Sequence, residues 1–286
     1  MKLCVAENIG FCFGVERALE IVQECLKTER SVYTLGEIVH NKNVVEGLKR
    51  QGLKIFRENE PVPKDAKDSV LIVRAHGVAP KVLNELEKNF KRVIDATCPI
   101  VLKLFDKAKR AREEGYVVVV FGDENHDEMK ALKGYVEDAI VTETAIPLKD
   151  RVCVLSQTTM SLEDFLDFGA ELLKSSEPRE FLLLNTVCEI THKREIEVRN
   201  MARECDLIVV VGGKNSSNTK KLAKIASKMT KVLHVESAFE IMDIDFKNFK
   251  KIGVTAGTST PLGDVKTVVE KIQSGGRAYE GKHEYE

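Results

Sequence analysis

Seven cysteines occur in the 286 residues, and three of them stand in matched surroundings. The segments are CVAENIGFCFGVERALEIV around Cys12, RVIDATCPIVLKLFDKA around Cys98 and FLLLNTVCEITHKREIEV around Cys188, with the cysteines 86 and 90 residues apart. Each cysteine follows an apolar run and precedes an amphipathic one. In each case the residue 28 positions later sits in a polar loop led by Gly: His40 in VYTLGEIVHNKN, His126 in VVVVFGDENHDEM and Ser216 in LIVVVGGKNSSNT. A further apolar run in each repeat ends at His76, Thr158 or Ser259. Cysteine, loop and loop thus recur three times in the same order.

Three thiolates on one centre suit zinc or an iron–sulfur cluster, because both select soft ligands. A structural zinc site is normally closed by four protein ligands, and no fourth thiol has a matched position. The residues therefore favour a cluster with one iron left open, and zinc is the alternative. Cys25 lies on the stripe Val15, Ala18, Leu19, Val22, Leu26 and reads as core. Cys4 and Cys153 fall inside strands and Cys205 ends a helix, so burial is expected for each.

His40, His76 and His126, with Ser216, Ser217, Asn218 and Ser259, are residue types that hold an anion. Imidazolium cations, hydroxyls, an amide and N–H groups at helix starts form an oxyanion cage, for which diphosphate is a natural occupant. Two nucleotide motifs fail: GGKNSS lacks the Walker spacing and GFCFGV is not GxGxxG. Glu128, two residues beyond His126, is placed to act in the same pocket as a general acid. Glu124 and Asp127 are expected to be exposed, with Asp123 undecided.

Apolar runs alternating with helical patterns along the chain require an α/β fold with mostly parallel sheets. The repeat divides it into three similar small units, 13–97, 98–187 and 188–275. A strand within 1–12 is free to join the sheet of the third unit, and 276–286 forms a flexible tail. Ligands of open α/β sheets bind beyond the carboxyl ends of the strands, so a pseudo-threefold arrangement around a central cleft is expected. Basic and acidic residues number 44 and 45, a net charge of −1, which argues against nucleic-acid or membrane-surface partners. No apolar run approaches the ~20 residues needed to cross a bilayer. The amino terminus lacks a signal-peptide pattern, and the odd cysteine count argues against a disulfide framework, so a cytoplasmic protein is expected.

The motifs GFCFGVERA, EIVHNKNVV, RAHGV, DATCPIV, SQTT, NTVC, GGKNSSNT and TAGTSTP, in this order, resemble the IspH/LytB family over nearly the whole chain. The resemblance implies a 4-hydroxy-3-methylbut-2-enyl diphosphate reductase, the last step of the methylerythritol phosphate route to isoprenoids. It implies a [4Fe–4S] cluster on Cys12, Cys98 and Cys188 with one open iron. It implies diphosphate ligands at His40, His76, His126, Thr158, Ser216, Ser217, Asn218 and Ser259, and Glu128 as proton donor. Thr158 would position the substrate hydroxyl or a water beside Glu128. No flavin or nicotinamide motif is present, so electrons are expected from an external ferredoxin or flavodoxin. The chain departs from the family in reading HDE at 126–128 where HPE is frequent, which is expected to loosen the turn that aims Glu128. It also reads PIVLKLF after Cys98 for the common PLVTKVH, and its closing TSTPLGDV shifts the acid. Two rivals stand beside the reductase: an iron–sulfur hydratase, which needs no reductant, and a zinc-stapled phosphate binder, which holds no iron.

Overall fold

The computed structural model describes residues 1–275; the expected tail, 276–286, lies outside the described residues. Strand β1 (Lys2–Val5) leads to helix α1 (Phe13–Thr28), whose Ala18, Leu19, Val22 and Cys25 form its buried stripe. There follow β2 (Val32–Leu35), α2 (Lys42–Arg50), β3 (Leu53–Phe56), β4 (Val70–Val73), α3 (Pro80–Asn89) and β5 (Arg92–Asp95). The second stretch comprises α4 (Pro99–Glu113), β6 (Val117–Phe121), α5 (Asp127–Tyr135), β7 (Ile140–Thr142), β8 (Arg151–Ser156), α6 (Leu162–Ser175) and β9 (Glu180–Leu183). The last comprises α7 (Glu189–Glu204), β10 (Leu207–Val211), α8 (Ser217–Ser227), β11 (Lys231–Val235), β12 (Lys251–Ala256) and α9 (Leu262–Gln273).

These strands form three four-stranded sheets, ordered β3-β2-β4-β5, β7-β6-β8-β9 and β11-β10-β12-β1, and every adjacent pair is parallel. Two central strands of each sheet are apolar and almost wholly buried, as in VLIV of β4 and LIVVV of β10. Strands covered by helices on both faces read as continuous apolar runs rather than alternating ones. Phe105 and Leu104 of α4 pack with Val118, Val120 and Leu155 of the second sheet, while Val265 and Val268 of α9 pack with Val209 and Val254 of the third.

All three sheets share one order, but the outer strand of the third comes from the start of the chain. Lys2 pairs with Lys251 and Val5 with Val254. Cys12 therefore follows an outer strand, as Cys98 follows β5 and Cys188 follows β9. By compactness the chain divides into two units, Cys12–His192 with the first two sheets, and Met1–Phe11 with the chain from Lys193 onward.

Helix starts are fixed locally. Pro occupies the first turn of α3 and of α4, where its missing N–H costs nothing. Asn41, Ser161 and Ser216 cap α2, α6 and α8 by accepting from Val44 N, Asp164 N and Thr219 N.

Candidate active site

Within the unit Cys12–His192, Cys12 and Cys98 are the N-cap residues of α1 and α4, and neither spends its side chain on capping. Each cysteine thus stands at a helix N-terminus. All three thiols are half-buried. Burial pushes the Cys98 thiol up; the N–H groups of Ile100 and Val101 oppose this, and Cys188 and Glu128 add to it. A soft metal centre binding there displaces the thiol proton. A Cβ on Gly14 would stand 2.7 Å from Cys98 Sγ and 3.1 Å from Cys98 Cβ, so only glycine lets α1 approach this sulfur. Arg17 Nη1 donates to Thr97 O at 3.2 Å, tying the same helix to the loop before Cys98. Soft donors at helix starts, with a glycine cradle beside one of them, fit an iron–sulfur group.

Thr158 connects the backbone at Cys188 to the acid. The Cys188 N–H donates to Thr158 O at 2.8 Å. Thr158 in turn donates its N–H and its hydroxyl to the two carboxylate oxygens of Glu128, each at 2.7 Å. Glu128 is in the first turn of α5 and is 1 % exposed. His126 caps that helix, its Nδ1 accepting from Glu128 N at 3.3 Å, which leaves the proton of a neutral ring on Nε2.

The three histidines gather. Ring centroids are 4.8 Å apart for His40 and His76, 5.3 Å for His76 and His126, and 6.2 Å for His40 and His126. One ligand atom from each lies within 4.8 Å of the others, close enough to hold a metal ion. His76 Nδ1 is buried with no protein partner, a cost that a ligand would remove. The expectation of imidazolium cations needs correction. Burial, then the neighbouring His40 and His126 and the Arg74 charge, drive His76 well below the ordinary range. Burial, then His40, brings His126 down to about 4, with Asp127 and Asp123 pulling the other way. In the free protein these two rings are neutral.

Within the other unit, Ser216 and Asn218 sit at the N-terminus of α8, and both are buried. Neither amide atom of Asn218 has a protein partner although the residue is 2 % exposed. Ser217 opens the same helix, and Ser259 is buried beyond β12.

Four residues differ from expectation or were not foreseen. Asp127, expected in solvent, is half-buried and pairs with Arg74 at 3.0 Å. Its place in HDE does not leave the turn loose, because His126 caps α5 and Asp127 is anchored. Cys4, expected in the core, is half-buried on the edge strand β1, whereas Cys25, Cys153 and Cys205 are buried. Gly14 and Arg74 carried no signal in the sequence beyond lying near Cys12 and His76. Asp123 and Glu124 are exposed, and Asp123 N–H is held by Gln157 Oε1 at 3.0 Å.

Sheet order and site define an α/β protein in which one unit carries half-buried thiols, a buried carboxylate and three clustered histidines. Residues 3–273 match the LytB protein family, and the chain belongs to it. It is 50 % identical over 273 residues to a 4-hydroxy-3-methylbut-2-enyl diphosphate reductase of Pseudothermotoga lettingae, covering 96 % of this chain and 98 % of the relative. The protein of the same name from Thermotoga maritima is 47 % identical over 274 residues, with 96 % of each chain covered. Among solved structures, the Plasmodium falciparum E-1-hydroxy-2-methyl-but-2-enyl-4-diphosphate reductase superposes with a TM-score of 0.84 at 27 % identity, over 99 % of this chain and 93 % of its own. An (E)-4-hydroxy-3-methyl-but-2-enyl diphosphate reductase, described as the terminal enzyme of the non-mevalonate pathway, gives 0.69 at 34 % identity over 96 % and 100 %.

Proposed function

We propose that this chain is a 4-hydroxy-3-methylbut-2-enyl diphosphate reductase. It removes the allylic hydroxyl of its substrate as water, consuming two electrons and two protons, and releases isopentenyl and dimethylallyl diphosphate. The observation that carries the reading is the continuous link through Thr158, which holds Cys188 on one side and Glu128 on the other. A proton donor is thereby fixed to the same backbone segment as a metal ligand.

Cys12, Cys98 and Cys188 are the residues that would hold a [4Fe–4S] cluster, which when bound would supply electrons and Lewis-acid iron. Glu128 delivers protons to the departing hydroxyl, and the Thr158 hydroxyl orients the carboxyl group and the leaving oxygen beside it. His40, His76 and His126 bind the diphosphate. Ser216, Ser217, Asn218, Ser259 and Thr158 are assigned to diphosphate binding from their matched places in the repeat and from family likeness. Held so, the allylic carbons are oriented for reduction. Electrons come from an external ferredoxin or flavodoxin. Among the described residues no helix is long and apolar enough to cross a membrane, and none of the seven thiols is in a disulfide. Free thiols suit a reducing compartment, and the cytoplasm is the assigned location.

The test is anaerobic purification with iron and sulfide analysis, followed by turnover with dithionite and a viologen mediator. About four irons per chain, lost in Cys98→Ser, with activity strictly dependent on reductant, is the expected result. A colourless zinc protein after cluster reconstitution, or turnover without reductant, overturns the assignment.

A further inference from the structure

One guanidinium reaches all three loops that bear the histidines, and its sequence position gives no sign of this. Arg74 follows β4, two residues before His76. Its Nη1 pairs at 3.0 Å with Asp127 Oδ2, the residue between His126 and Glu128. The same Nη1 lies so close to Gly36, in the loop that leads from β2 to His40, that a Cβ there would collide with it. Gly36 has φ +68°, a conformation that other residues adopt at a cost. The loop backbone therefore favours glycine where the guanidinium passes it. The two partners are 15 % and 23 % exposed, so the pair is shielded more than a surface ion pair, which is worth little.

We propose that Arg74, clamped by Asp127 and seated against Gly36, is a positioning residue that fixes the spacing of His40, His76 and His126 for the diphosphate. This rests on the reading of the histidines as diphosphate ligands. Arg74 acts on the anion through these loops. A planar, permanently charged fork suits this role, since it keeps one geometry while engaging several neighbours. The competing view is direct contact, because Arg74 and His40 line one cleft of about 600 Å³ together with Arg57 and Asp127. Asp127 separates the two views. A clamp needs its anchor, whereas a direct cationic ligand is strengthened when a competing carboxylate is removed.

The experiment uses anaerobic holoenzyme and inorganic diphosphate as the probe, by calorimetry, alongside KM and kcat for the substrate. Variants are Arg74→Gln, Asp127→Asn, their combination, and His76→Asn. Each single change in the pair is expected to weaken diphosphate binding and raise KM about tenfold, the double no more than either single, because the two act as one unit. Iron content and visible spectrum stay as in the parent, and kcat stays within about threefold, the pattern of lost ground-state binding. Binding that is unchanged or tighter in Asp127→Asn while Arg74→Gln weakens it overturns the clamp in favour of direct contact. Losses that multiply in the double variant overturn it as well. If His76→Asn weakens binding and neither pair variant does, the histidine site stands and the clamp falls. If His76→Asn also binds normally, both readings fall.

Discussion

Thr158 holds Glu128 by two hydrogen bonds, one from its N–H and one from its hydroxyl, each 2.7 Å long and both buried. Its own carbonyl is occupied by Cys188 N–H. The carboxyl group is thus oriented by the same residue that anchors the loop bearing Cys188. Glu128→Gln keeps the shape of that group and loses its acidity. The expected outcome is unchanged iron content and a fall in kcat of about 10²- to 10⁴-fold, the usual worth of general acid catalysis. Turnover within a few-fold of the parent, measured on protein with full iron content, would remove Glu128 from the reaction.

The hydroxyl of Thr158 is separable from its backbone bonds. Thr158→Val deletes one of the two donors to Glu128 and leaves a buried oxygen short of a partner, while Thr158→Ser keeps the donor. We expect Thr158→Val to lower kcat by at least tenfold and to cost about 1–3 kcal/mol of stability. Thr158→Ser should sit near the parent in both. Equal behaviour of the two variants would show that the hydroxyl contributes nothing.

Gly14 makes a prediction about metal content alone. A methyl group there would stand 2.7 Å from Cys98 Sγ, closer than two unbonded atoms tolerate, so either α1 or the sulfur must move. Alanine otherwise favours helix over glycine by about 1 kcal/mol. Gly14→Ala is expected to retain its circular dichroism and melting temperature as metal-free protein, yet to bind less than half the parent's iron after reconstitution. Full iron incorporation would place the cluster ligands elsewhere.

The depressed histidines set a pH dependence. Neutral His76 and His126 in the free protein gain proton affinity when a polyanion arrives beside them. A group whose pKa rises on binding takes up protons, so affinity grows as pH falls through the bound-state value. Calorimetry in buffers of different ionisation enthalpy should report net proton uptake on diphosphate binding near pH 7, with tighter binding at pH 6 than at pH 8. Zero uptake would mean that the rings bind as neutral N–H donors. Stability of the metal-free protein runs with the opposite slope. An unfolded histidine titrates near 6.5 and His126 at about 4, so this contribution is complete above pH 6.5 and is lost as pH falls toward 4. His126→Asn should flatten that part of the stability profile.

The sequence displayed much of this site because the repeat is local in pattern: cysteine, loop and loop recur at fixed spacing, and each spacing is set by one strand–helix step. Contacts that join distant loops left no such trace. Arg74 meets Asp127 across 53 residues, and nothing in RAHG or HDEM says that they are partners. Asp127 read as a solvated loop acid because its neighbours in sequence are Asn125, His126 and Glu128, whereas its surroundings are set by another strand end. The lowered proton affinity of His76 and His126 was equally hidden, since burial and mutual repulsion come from packing and not from residue type.

Asn218 offers the sharpest separation of function from stability. Both atoms of its amide are buried without a protein partner, which costs folding free energy of about 1–3 kcal/mol. Its matched place in the repeat assigns it to the diphosphate, whose oxygens would accept from Nδ2. A residue retained at a cost to the free protein should be stabilising to replace and functionally expensive to lose. Asn218→Leu, close in shape and without polar atoms, is expected to melt at the same temperature as the parent or higher in the metal-free, ligand-free state. The same variant should raise KM for the substrate by at least about tenfold. Thermal stabilisation by added inorganic diphosphate should be smaller in this variant than in the parent, since that gain follows occupancy. A lower melting temperature with normal KM would identify Asn218 as an ordinary structural amide and remove it from the anion site.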